Sequence, residues 1–81
     1  MSTSKQLTLY YREGCHLCDQ MLQELLPYLD RKDVQFNRID IDEDDTWLRR
    51  YNDKVPVLHA DHEPLCKYYL DIARLENFLA Q

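Results

Sequence analysis

Residues 9–18 read Leu-Tyr-Tyr-Arg-Glu-Gly-Cys-His-Leu-Cys, and the period of the sequence changes in the middle of them. Gln6 to Tyr11 alternates in part and is rich in Leu, Thr and Tyr, the pattern of a strand. Arg12-Glu13-Gly14 is a short turn, and Gly14 is the chain's one glycine. From Cys15 onward, Leu17, Met21, Leu25 and Leu29 recur every four residues, with Leu22 and Leu26 beside them. That spacing predicts one face of a helix running to about Arg31. Pro27 falls inside it and predicts a kink or a lost hydrogen bond. Cys15 and Cys18 therefore stand where the turn after a strand becomes a helix. A helix start carries free N–H groups and the positive end of the dipole, which favour a thiolate at Cys15. Cys18, three residues on, is expected one turn beneath it. Cys15 is placed to attack a disulfide and Cys18 to resolve the mixed disulfide. His16, between them, is expected to tune the pair through its charge or hydrogen bonding.

Outward from this stretch, Asp33 to Asp40 alternates cleanly and predicts a second strand, with Val34, Phe36 and Ile39 or Ile41 facing a core. Asp42 to Asp45 precedes Thr46–Asn52, which carries arginines at its end. Acidic front and basic back suit a short helix. Val55-Pro-Val-Leu58 reads as a third strand with proline at its start, Asp61-His-Glu63 as a turn, and Pro64-Leu-Cys66 as a fourth strand. Ile72, Leu75, Phe78 and Leu79 mark a closing helix. The order is β-α-β-α-β-β-α. Its β-α-β start implies parallel strands joined by a right-handed crossover, and the two close runs that follow imply a hairpin. The expected fold class is α/β, a four-stranded mixed sheet with helices on its faces.

The chain has 81 residues, which predicts one domain spanning 1–81. Its net charge of −5 argues against a broad basic face for nucleic acid or anionic lipid. No apolar run approaches the ~20 residues of a membrane span. The polar stretch Met1 to Gln6 does not read as a secretory signal, so the expected location is cytoplasmic. Three cysteines without a signal argue against a secreted disulfide scaffold. In a reducing compartment, a close Cys pair is more often catalytic or metal-binding than structural. Once the core is assigned no apolar stripe is left over, so the chain reads as a monomer.

Other residues have plainer readings. Cys66 is either a small buried hydrophobe or a redox or ligand residue beside a groove. His59 and His62 have ligand-like spacing, but the expected fold puts them around the hairpin turn, away from Cys15. No metal site is assigned. The acidic run from Asp40 to Asp45 lacks the glycine and final glutamate of a calcium loop and suits a solvated helix start. Tyr10, Tyr11, Tyr68 and Tyr69 flank the expected site; strand packing accounts for them, with an exposed one lining a substrate groove. Trp47 is expected in the core.

A C-x-x-C between a first strand and an amphipathic helix, followed by Val55-Pro56 at a third strand, resembles the thioredoxin superfamily, and the glutaredoxins in particular. Residues 9–18 look like their strand-turn-helix signature. Residues 55–58 look like their cis-proline segment, and Pro64 to Asp71 like the end of the last strand and the start of the last helix. The closest resemblance is to short bacterial glutaredoxin-like proteins with a G-C-H-L-C motif, and it covers nearly the whole chain. It implies a redox-active disulfide, with Cys15 as nucleophile and Cys18 as resolving thiol. It implies a cis Pro56, with the backbone of Val55 laid against the disulfide like an added strand. It places Arg12 where glutaredoxins often keep a lysine for a glutathione carboxylate. Disulfide-bearing proteins or small thiols are then the implied substrates. Glutathione is the implied co-substrate, and no cofactor is tightly bound. The chain departs from the glutaredoxin pattern at C-H-L-C in place of C-P-Y-C, at Lys54 before Val-Pro, and at Lys67 and Tyr68, near where a Gly-Gly pair stands. Two further readings use the same residues. One is a module that holds a peptide or thiol ligand along Val55–Pro56 without turnover. The other is metal or iron–sulfur binding through Cys15 with a partner chain and glutathione.

Overall fold

The computed structural model describes residues 5–81. The elements are β1 (Lys5–Tyr11), α1 (His16–Leu25), β2 (Val34–Asp40), α2 (Asp45–Tyr51), β3 (Val57–Ala60), β4 (Glu63–Lys67) and α3 (Ile72–Leu79). Short 3-10 turns, Leu26–Tyr28 and Ile41–Glu43, follow α1 and β2. The strands lie in the order β2-β1-β3-β4. β1 and β2 are parallel, while β1 and β3, and β3 and β4, are antiparallel. The expected parallel pairing of β1 with β2 and the expected β3–β4 hairpin are both present.

Alternation along β1 sends side chains to two covered faces. Leu7 and Leu9, with Leu58 of β3 and Leu65 of β4, pack against Met21 and Leu25 of α1 and Leu75 and Leu79 of α3. Tyr10 and Val57 point the other way, to Ile41 and Tyr51, with Trp47 and Leu48 packed beside them. One face thus carries two helices and the other carries α2 alone. Phe36 and Val34 pack on the first face and Ile39 on the second.

Most boundaries differ from the sequence reading by a residue or more, and in three elements a proline is involved. The first helix ends at Leu25, not near Arg31, because Pro27 has no N–H to give to an upstream carbonyl and its ring crowds that carbonyl. The chain tightens into a 3-10 turn with the proline near its start, where a missing donor costs little. Leu26, expected on the apolar face, is turned out and 49% exposed. The third strand begins at Val57 and runs to Ala60, because the buried Pro56 cannot donate to a ladder. The fourth strand takes in Glu63 and Lys67 as well. It keeps Pro64 because β4 is an outer strand, and it bulges opposite Leu58 and His59, which leaves Leu65 unpaired but buried. In α3, Leu75 and Leu79 are buried, whereas Ile72 is 44% exposed at the helix's first turn.

Among the described residues, no helix is long and apolar enough to cross a membrane.

Candidate functional site

β1 delivers the chain to a tight turn in which the Cys15 N–H donates to the Arg12 carbonyl at 3.3 Å. Gly14 holds φ +76° there, a left-handed conformation that glycine adopts without penalty. The turn sets Cys15 extended (φ −89°, ψ 114°) as the N-cap of α1, and its Sγ accepts the Cys18 N–H at 3.1 Å. The sulfur thus does what a serine or aspartate oxygen usually does at a helix start. The Cys15 carbonyl accepts the Asp19 N–H at 3.1 Å and begins the helical ladder.

The two thiols differ sharply in setting. Cys15 is half-buried, whereas Cys18 is 2% exposed. Burial, and after it the contact with the Cys15 sulfur, push the Cys18 thiol up to about 12. Cys18 therefore keeps its proton near neutral pH, and Cys15 is the more accessible sulfur. A cavity of about 60 Å³ lies against Cys18, with Glu13, Asp19 and Arg38 in its wall. It is large enough for a water, whose share of the liquid is ~30 Å³. His16 is exposed at the first position of α1.

The Val55–Pro56 segment leaves for β3 at the same end of the sheet, since Val57 pairs with Tyr10 one residue before β1 ends. The Val55–Pro56 peptide bond is cis. Pro56 is buried and its carbonyl accepts the Tyr68 N–H at 2.8 Å. The Tyr68 hydroxyl donates to the Asp53 carbonyl at 3.0 Å, so one tyrosine, itself at φ +67°, clamps the loop at both ends. Tyr69 is 65% exposed.

Arg12 is already engaged. Its Nε and Nη2 meet the Asp42 carboxylate at 3.1 and 3.0 Å, and Nη2 and Nη1 meet the Asn52 side chain and carbonyl at 2.8 and 3.3 Å. Hydrogen bonding to Asp42 raises the guanidinium further above its ordinary range. The residue matched to a glutathione lysine thus ties the end of β1 to the turn before α2 and to the end of α2. Sequence reading missed this triad and the Tyr68 clamp, whose partners lie far apart in the chain.

Cys66 pairs across from Leu58 and packs on the face shared with α1 and α3. Burial pushes its thiol up. The structure brings Arg12, Cys15, His16, Cys18, Val55 and Pro56 to one end of the sheet, with Cys66 one residue short of the end of β4. His59 and His62 lie toward the opposite end, where β3 turns into β4, and His59 Nε2 meets the Tyr51 hydroxyl at 3.1 Å. Trp47 sits half-buried against Tyr10, with ring centroids 4.9 Å apart.

Comparison with known proteins gives a consistent result. Residues 6–80 match the family model described as Glutaredoxin-like domain (DUF836). A protein from Nitrosomonas europaea, solved by NMR in solution, is 35% identical and superposes with a TM-score of 0.79 over 96% of this chain and 94% of its own. A protein from X. campestris, solved by X-ray diffraction, is 34% identical, with a TM-score of 0.71 over 91% of this chain and 95% of its own. A mutant thioredoxin from Halobacterium salinarum, at 24% identity, shares the fold with a TM-score of 0.63 over 93% of this chain and 71% of its own.

Proposed function

Because the chain belongs to the glutaredoxin-like domain family and carries a Cys15–Cys18 pair at the start of α1, we propose that it is a thiol–disulfide oxidoreductase. Family and pair together support a redox-type role. The finer reading rests on the asymmetry of the two sulfurs: Cys15 is accessible and capped by an N–H, and Cys18 is buried and protonated one turn behind it.

In this reading the Cys15 thiolate attacks one sulfur of a substrate disulfide. The substrate S–S bond breaks, a Cys15–substrate disulfide forms, and the departing thiolate takes up a proton. The Cys18 thiol then loses its proton, which passes through the small cavity toward Glu13 or Asp19, and its sulfur attacks Cys15. The mixed disulfide breaks, the substrate leaves with both sulfurs reduced, and its two electrons have come from the Cys15–Cys18 pair. A thiol reductant, of which glutathione is the first to test, restores the pair by the reverse exchange. Val55 leaves for β3 at the same end of the sheet as Cys15, which supports a role for its backbone in holding the substrate strand.

Redox titration in graded glutathione buffers, with alkylation and mass spectrometry of the cysteine peptides, tests this directly. A reversible Cys15–Cys18 bond is expected. Cys15→Ser should abolish reduction of a disulfide substrate, and Cys18→Ser should accumulate a mixed disulfide on Cys15. Turnover that survives Cys15→Ser overturns the mechanism.

A further inference from the structure

Four of the chain's ten Lys and Arg residues stand around one groove beside the outer strand β4, and none of its fifteen Asp and Glu residues lines it. Arg50 and Lys54 come from the end of α2 and the loop after it. Lys67 and Arg74 come from β4 and α3. All four are exposed, and none belongs to the ion pairs among the described residues, which join Lys5 to Asp33, Arg12 to Asp42 and Arg31 to Asp33. The lining between them is mainly apolar and spans the β4 edge, with Val57 from one face of the sheet and Leu65 from the other. The groove encloses about 340 Å³. Four unneutralised cations along a mainly apolar lining are unexpected in a chain of net charge −5.

We propose that this groove docks an extended acidic segment of a protein partner, one that alternates carboxylates with apolar side chains. Three observations carry the choice of occupant. The charge is complementary to a polyanion and opposite to the chain's own balance. The wall includes every residue from Pro64 to Lys67, a run of roughly 10 Å at strand spacing, and the cations reach it from α2, the loop after α2, β4 and α3, so the groove has the length and the charge on both sides that an extended segment needs. The apolar lining suits side chains set between the charges. Pro64 denies an incoming strand one backbone donor on this edge, so recognition runs through side chains and not through strand addition. Lys54 and Val57 flank Val55–Pro56, so a docked segment approaches Cys15. That last consequence alone rests on the oxidoreductase reading.

Binding is measured with both site cysteines replaced by serine, which keeps the result independent of redox activity. The probe is a fluorescein-labelled eight-residue peptide of alternating Asp or Glu and Leu, followed by anisotropy. The control replaces each acid by Lys. The acidic peptide is expected to bind and the Lys peptide not to bind. Lys54→Glu with Arg74→Glu, on opposite walls, should weaken binding about ten-fold, and raising salt from about 50 to about 500 mM should weaken it again. Lys54→Gln with Arg74→Gln gives the same direction should the reversed pair not fold. The proposal fails if the acidic peptide does not bind, or if the charge changes leave its affinity intact. It fails equally if citrate displaces the peptide as well as the unlabelled peptide does, which marks a small-anion site. It also fails if the wall variants abolish self-association at high protein concentration and leave peptide binding unchanged.

Discussion

Cys15 and Cys18 are three residues apart, yet one is half-buried and the other almost wholly buried. Burial holds Cys18 near 12, so in the native protein iodoacetamide should modify Cys15 readily at pH 8 and leave Cys18 untouched, as read by mass spectrometry. Rapid labelling of Cys18 would refute the asymmetry. Gly14 offers a test of the turn that presents Cys15. A side chain there meets nothing within 4 Å, so Gly14→Ala carries only the backbone cost of φ +76° and should lower stability by about 1 kcal/mol in denaturant titration. His59 is depressed below its ordinary 6.5, first by burial and then by Arg50 and His62. Its neutral form is thus favoured on folding: the stability it contributes is present above about pH 6.5 and is lost as pH falls through the folded value. The Tm of the native protein should therefore drop between pH 6.5 and 5 more than that of His59→Gln. The pair and the helix start it occupies were legible in the sequence because strand end, turn, cysteine and helix period lie within a dozen consecutive residues. The Arg12–Asp42–Asn52 triad was not, because 30 and 40 residues separate Arg12 from its partners and only the fold brings them together.

Each helix is fixed by what stands at its ends. Asp44 caps α2 by accepting the Thr46 N–H at 2.8 Å, and Asp71 caps α3 by accepting the Arg74 N–H at 3.1 Å. Asp44→Ala and Asp71→Ala should each cost about 1 kcal/mol, measured by chemical denaturation. The acidic run and the apolar repeats announced these helices, and their capping residues are local. The boundaries moved where a proline acted through something beyond its neighbours. At Pro27 the helix stops because a donor is missing, yet the turn that follows is chosen by the packing of Tyr28 and Leu29 on the core. At Pro56 the missing donor keeps the residue out of the ladder, and the register with β1 carries the strand on to Ala60. Sequence periodicity records which residues are apolar; it does not record which partner strand supplies the pairing.

The whole molecule is a sheet covered unequally. α1 and α3 share the face carrying Leu7, Leu9 and Leu58, and Leu25 is fully buried at its centre. Leu25→Ala should cost about 2–5 kcal/mol, read from the denaturation midpoint. The opposite face has the seven residues of α2 and the buried Ile41 of the turn before it, packed with Tyr10, Tyr51 and Trp47. Amide exchange should be faster through α2 than through β1.

Cys15 joins these scales, because one sulfur caps α1 and, in the proposed cycle, also attacks the substrate. In the proposed cycle that sulfur is an acceptor when the pair is reduced and a weaker one when it is tied to Cys18. The energy of the cap then enters the balance between the two redox states. A cap of about 1 kcal/mol, ordinary for an oxygen, corresponds to roughly 20 mV for a two-electron couple. The reduction potential of the proposed couple would then be written partly into the first hydrogen bond of a helix, and backbone changes at 14–18 that spare both cysteines would retune it.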